Sequence, residues 1–133
     1  MADSQCTRRE VLTLFGVAVA LGSNPCALRG EIGEMFGLIS KIKSTVDQRD
    51  ALIAILTQGT SAMPGCLSYV LAKDSTEADA LWVTEVWDSR ASHRASLSLP
   101  PVQQAIAKAK SLIAGFCARY ETQPIGGYGL TGA

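Results

Sequence analysis

Asp74-Ser75-Thr76-Glu77-Ala78-Asp79 is a polar run between two apolar, β-branched stretches, Cys66–Lys73 (CLSYVLAK) and Ala80–Trp87 (ALWVTEVW). A parallel crossover needs about a dozen residues or more, far longer than this run. The two stretches must therefore pair antiparallel as a hairpin, and that hairpin constrains everything around it.

On either side the chain alternates strand and helix signals. Met35–Lys43 (MFGLISKIK) is apolar and β-branched, and its end alternates apolar with polar, which predicts a strand. Asp47–Gln58 places Leu52, Ile53, Ile55 and Leu56 at helical spacing, with Asp47 and Asp50 near the positive end of the helix dipole. Gly59-Thr60-Ser61 ends that helix, and Met63-Pro64-Gly65 is a turn. Past the hairpin, Asp88 or Ser89 caps a short helix running to about Leu97, and Pro100-Pro101 opens a longer one. Val102, Ile106, Ala109, Ile113 and Phe116 are expected as its buried stripe, and Cys117–Pro124 as the last strand.

The order β-α-β-β-α-β predicts an α+β, ferredoxin-like domain with an antiparallel four-stranded sheet. Two helices cover one face of such a sheet, yet these strands are apolar on both faces. In the third strand Trp82, Thr84 and Val86 alternate with Val83, Glu85 and Trp87. An uncovered apolar face is an interaction surface, so a homodimer with sheets packed face to face is expected.

Residues 1–30 are a different kind of sequence. Arg8-Arg9 precede an uncharged, mostly apolar run from Val11 to Leu21, and Ala20-Leu21-Gly22 supplies small residues. The run is too short to span a bilayer and suits a signal-peptide core. Basic, then apolar, then small resembles a twin-arginine export signal, with Val11 where that signal usually carries Phe. The alternative is an amphipathic N-terminal helix of the fold; against it, Leu14 to Leu21 is apolar on every face. The division expected is residues 1–30 as an export segment and 31–133 as the domain, with an exported location and no stable membrane anchor. Without export the location would be cytoplasmic.

Charge removes further classes. The whole chain has 12 Lys/Arg and 12 Asp/Glu, and residues 31–133 carry nine and ten, a net charge of −1. Neither number provides the basic footprint of a nucleic-acid binder. At 133 residues the chain is too short for a dinucleotide-binding enzyme, a TIM barrel or a kinase. Gly127-Tyr128-Gly129-Leu130-Thr131-Gly132 is literally G-x-G-x-x-G, but only Ala133 follows where a helix should open. Asp88, Ser92 and His93 crowd one short helix instead of converging from separate elements, so they are not read as a triad.

One histidine excludes a site needing two His ligands within a subunit, and without C-x-x-C neither a zinc ribbon nor a thioredoxin-type pair is indicated, so no metal is expected. Cys6 and Cys26 lie in or near the export segment. A Cys66–Cys117 disulfide is chemically allowed in an exported protein, and two buried free thiols are the other reading.

The remaining chemistry is Glu85, Trp87 and His93, with Tyr69 on the neighbouring strand. Glu85 and Trp87 share a strand face by period two. A carboxyl on an apolar face needs a partner or water, and a neutral imidazole can accept a proton near neutral pH. Together the four could line a pocket, with Trp87 against a flat ligand. In the bland alternative Trp87 and Tyr69 are ordinary core and strand residues, Glu85 pairs with a lysine across the sheet, and His93 is a solvated helix residue.

Glu85-Val86-Trp87-Asp88-Ser89, then His93-Arg94-Ala95-Ser96-Leu97, then Pro101-Val102, resembles the antibiotic biosynthesis monooxygenase family, and within it the small quinol monooxygenase type. Met63-Pro64-Gly65-Cys66, Leu112-Ile113-Ala114-Gly115-Phe116 and Gly126-Gly127-Tyr128-Gly129-Leu130 fit the same pattern, so the resemblance spans about residues 34–131. It implies a dimeric α/β barrel of ferredoxin-like subunits. It also implies oxygenation of a phenolic or quinol-type aromatic by O₂ with no cofactor and no metal. Trp87 and His93 are the positions matching the catalytic residues, with Glu85 and Tyr69 as substrate-binding candidates. Haem-degrading relatives resemble a pattern with an asparagine beside the haem; the only asparagine here is Asn24, near the export segment. A non-catalytic dimeric barrel that binds a small aromatic ligand is the alternative from a different functional class.

Overall fold

A computed structural model describes residues 33–130. The export-like segment, Cys6, Cys26 and the end of the G-x-G-x-x-G run lie outside the described residues. The elements are β1 (Phe36–Ser44), α1 (Arg49–Gly59), β2 (Cys66–Lys73), β3 (Ala80–Trp87), α2 (Arg90–Ser96), α3 (Pro100–Ala109), a 3₁₀ turn (Lys110–Leu112) and β4 (Ile113–Thr122). One antiparallel sheet runs in the order β2-β3-β1-β4. This is the expected ferredoxin-like arrangement, with α2 added ahead of the second long helix.

Strand β1 shows why the sheet has a helix side. Phe36, Leu38, Ser40, Ile42 and Ser44 are buried, with the positions between them mostly less so. Their partners on β3 continue the layer, pairing Phe36 with Trp87, Leu38 with Glu85, Ser40 with Val83 and Ile42 with Leu81. Leu52 and Leu56 of α1, Ala109 of α3, and Ile113 and Phe116 of β4 close over Ile42, Leu81 and Val83 as the main core. Phe36, Leu38 and Trp87 form a second cluster at the other end of the same face. The opposite face carries the row Tyr120, Ile39, Thr84 and Val70, of which Tyr120, Thr84 and Val70 are exposed.

The hairpin that opened the sequence argument is held by its own loop. Asp74 accepts backbone N–H bonds from Thr76 and Glu77, and the Trp82 indole N–H at 2.8 Å. These donors hold its carboxyl well below the usual carboxylate range. Lys41 pairs with Asp74 and Glu77 from the adjoining strand. Arg49, opening α1, donates to the carbonyls of Asp74, Glu77 and Ala80.

Ile113 and Phe116 are not on a helix. The 3₁₀ turn ends α3 at Ala109, and both residues belong to β4. The i, i+3 spacing from Ile113 to Phe116 comes from one bulge at Ala114, and that from Phe116 to Arg119 from a second at Cys117, so all three fall on the helix side. Two bulges in one strand imitate a helical stripe. The cysteine expectations also change. Cys117 is disulfide-bonded whereas Cys66 is a free thiol, so the two do not pair and are not two free thiols.

Helices α1 and α3 approach at Gly59. A Cβ there would lie 2.2 Å from Ala105 Cβ and 3.2 Å from the Pro101 carbonyl oxygen. Gly59→Ala should therefore destabilise the protein by about 1–3 kcal/mol in urea unfolding despite its better helix propensity. Adding Ala105→Gly should recover part of the loss. A single mutant as stable as the parent would contradict the close approach.

Candidate active site

Between sheet and helices lies a cavity of about 100 Å³. Its walls are apolar: Leu38, Ile42, Val83 and Phe116 from the sheet, and Leu56, Leu97, Val102 and Ile106 from the helices and the loop after α2. Polar groups enter at a few points. Tyr69, Glu85, Trp87 and His93 all line it, and so do Ser40, Ser96 and Arg119. The structure thus brings together all four residues singled out from the sequence.

Register places most of this set. Glu121, Leu38, Glu85 and Tyr69 form one row across the helix side of the sheet, and Arg119, Ser40, Val83 and Leu71 the next. Ser89 caps α2 by accepting the Ser92 N–H at 3.1 Å. That cap fixes the start of α2 and lays His93 over the Phe36–Trp87 end of the sheet. The imidazole packs 5.2 Å from the Phe36 ring and 5.4 Å from Trp87, edge-on to the latter. Arg90 covers Phe36 from 4.4 Å and donates to Glu121 at 2.8 Å.

Glu85 is the chemical centre. Its side chain is 12 % exposed, and the Trp87 indole N–H donates to its Oε2 at 2.9 Å. Burial pushes its pKa up, opposed by that hydrogen bond and by the Arg119 charge. His93 Nε2 stands 3.8 Å from the same oxygen, too far for a hydrogen bond. Burial, then the charges of Arg119 and Arg90, push the imidazole down to about 4. At neutral pH the imidazole is therefore neutral, and the two groups are not an ion pair. Burial and the Glu85 charge push the Tyr69 hydroxyl far above its ordinary value, so it stays protonated.

The bland alternatives do not describe Glu85 and His93, whereas Trp87 is the core residue its alternative expected. Glu85 pairs with an indole instead of a lysine, and the His93 side chain is only 13 % exposed. Trp87 is 1 % exposed and packs with Phe36 and Leu38. It presents a hydrogen bond to Glu85 and an edge to His93. Among the described residues, no hydrogen-bond partner is found for the hydroxyls of Tyr69 and Ser40.

Ser40, Phe36 and Arg119 were not singled out from the sequence. Ser40 was visible as a polar break in the inward stripe Phe36, Leu38, Ile42. Arg119 was not visible, because the bulge at Cys117 decides its side of the sheet. Among the described residues no group of three His, Cys, Asp or Glu could hold a metal ion, and no helix is long and apolar enough to cross a membrane.

The family description of antibiotic biosynthesis monooxygenases matches residues 35–108. A Chloroflexus aurantiacus protein named for that family is 60 % identical, with a TM-score of 0.71, covering 72 % of this chain and 98 % of its own. A Mycobacterium tuberculosis protein of known structure is 25 % identical, with a TM-score of 0.59, covering 71 % and 98 %. A Pseudomonas aeruginosa protein at 18 % identity and a TM-score of 0.62, covering 73 % and 100 %, shares the fold. No curated protein matches. The chain belongs to the antibiotic biosynthesis monooxygenase family, and that membership suggests a monooxygenase-like function.

The two site groups make opposite contributions to stability with pH. The folded pKa of His93 is depressed from 6.5 to about 4, so its contribution is present above about pH 6.5 and lost as pH falls through about 4. Its size is about 3 kcal/mol. Glu85 is raised, so its contribution is full below the ordinary carboxylate range and lost as pH rises through its folded value. Urea unfolding between pH 7 and 4 should show stability falling with pH in the parent, and His93→Gln should flatten that slope. An unchanged slope in the variant would contradict a buried neutral imidazole.

Proposed function

We propose that the chain is a monooxygenase that oxidises a phenolic or quinol-type aromatic with O₂, with the helix-side cavity as its substrate site and no cofactor taking part. The observation that carries this reading is the buried Glu85–His93 pair facing an apolar cavity beside the hydroxyls of Tyr69 and Ser40, which have no hydrogen-bond partner among the described residues. Its volume is on the scale that accepts a single aromatic ring.

The chemistry asks little of the protein because the substrate is the reductant. Taking a proton from a hydroquinone hydroxyl leaves an electron-rich phenolate. The phenolate passes one electron to O₂, and the resulting radical and superoxide combine to form a C–O bond. The hydroperoxide then loses water. One oxygen atom stays on the ring as a carbonyl, the other leaves in water, and the hydroquinone emerges as a hydroxyquinone. Four electrons leave the substrate and four reduce O₂, so no outside reductant is needed.

His93 is the base in this scheme. Its depressed pKa keeps a lone pair open at neutral pH, and the Glu85 carboxylate 3.8 Å from Nε2 becomes the counter-charge when the imidazole takes the proton. Trp87 holds that carboxylate in place. Tyr69 and Ser40 are the hydroxyls available to the substrate oxygens.

O₂ uptake by chelator-treated protein with a panel of hydroquinones should be substrate-dependent and hold steady down to about pH 5. His93→Ala should lower kcat/KM by about 10²–10⁴-fold. Equal rates in parent and variant would remove His93 as the base. Saturable quenching of Trp fluorescence with no O₂ uptake for any of the panel would instead favour a binding protein.

We also propose a homodimer through the open face of the sheet, supported by the row Tyr120, Ile39, Thr84 and Val70 and by exposed Ile125 and Tyr128 beyond β4. Light scattering should give twice the chain mass, and Val70→Lys should lower it; a monomeric parent at micromolar concentration would contradict the dimer.

A further inference from the structure

Arg119 has no part in the scheme above, yet it lines the same cavity. Its place there is built by the fold. Were Cys117 paired regularly instead of bulged, strand alternation from Phe116 would turn Tyr120 inward and Arg119 outward. The bulge reverses this, setting Arg119 opposite Ser40 on the helix side and Tyr120 opposite Ile39 on the open face. Among the described residues the Arg119 side chain makes no hydrogen bond or ion pair. The nearby Glu121 is engaged by Arg90 at 2.8 Å, and Glu85 is engaged by Trp87. The residue itself is exposed, so it stands where the cavity lining meets solvent.

A guanidinium at the rim of an apolar cavity, with its donors uncommitted, matches a planar two-oxygen anion. The rest of the polar set is suited to hydroxyls: Glu85 and His93 can accept, and Tyr69 and Ser40 can do either. We propose that the substrate is a hydroxyaromatic acid, its ring in the cavity, its hydroxyl toward Glu85 and His93, and its carboxylate on Arg119. This rests on the cavity being the substrate site and adds the class of substrate it takes.

The surrounding charges agree. Burial and the charges of Arg119, Arg90 and Arg94 depress the His93 pKa, and Glu121 is the charge that opposes them there. The excess is positive although residues 31–133 as a whole are not. An anion bound at the rim offsets that excess, whereas a neutral quinol leaves it in place. A carboxylate on Arg119 also moves negative charge toward His93, which makes the imidazole a better base when substrate is present.

The test separates this proposal from the oxygenase reading because it measures binding alone. Trp fluorescence titration at pH 7 compares 2,5-dihydroxybenzoate with its methyl ester, which keeps both hydroxyls and the ring. The acid should bind at least about tenfold more tightly than the ester, a difference of about 1.4 kcal/mol. Arg119→Gln should abolish the preference while leaving the ester's affinity and the unfolding midpoint within about twofold and a few degrees. Equal affinities for acid and ester, no binding of the acid, or a preference that survives in Arg119→Gln would each overturn the proposal. So would a variant that weakens acid and ester alike, which would make Arg119 a partner of the hydroxyl instead. Preferential binding of the acid without O₂ uptake would leave this proposal standing and remove only the oxygenase reading.

Discussion

A carboxyl on the inward face of a central strand is unfavourable unless something answers it, and the candidate site is organised by how Glu85 is answered. The adjacent strands supply Leu38 and Tyr69 at its level, neither of them a cation. The answer comes instead from two residues along the same strand, where the Trp87 indole donates at 2.9 Å. This fixes the carboxylate, buries the largest side chain of the second core cluster, and sets the wall against which His93 packs. A carboxylate, a neutral imidazole and an apolar cavity then occur together because one strand face carries Val83, Glu85 and Trp87 in succession.

Burial has opposite effects on the two titrating groups, and the site uses both. It raises the carboxyl and lowers the imidazole, so each moves toward its neutral form. The result is a neutral imidazole beside a carboxyl group, both held largely out of bulk water. Nearby arginines reinforce the neutral state of His93. The same positive surroundings favour an anionic ligand, so the electrostatics that tune the base also bear on what the cavity accepts.

The order of elements was legible because the polar run Asp74–Asp79 forces a hairpin and the flanking segments carry clean periods. Period two along β3 was enough to place Glu85 and Trp87 on one face, and the cap at Ser89 was enough to set His93 on α2. What could not be read was the geometry of β4. A bulge inserts a residue without a compositional mark, and the one at Ala114 gave Ile113 and Phe116 a helical spacing. A second bulge hid Arg119, whose side of the sheet depends on Cys117. The cysteines were misread for a related reason: whether a thiol finds a partner is a matter of tertiary placement, and spacing alone does not report it.

The account turns on the helix-side cavity being where substrate binds. A crystal structure with 2,5-dihydroxybenzoate tests this most directly. The account predicts the ring between Leu38, Val83 and Val102, with a hydroxyl within hydrogen-bond reach of Glu85 or His93. A ligand seated on the open face beside Thr84 and Tyr120, with the cavity empty, would contradict it.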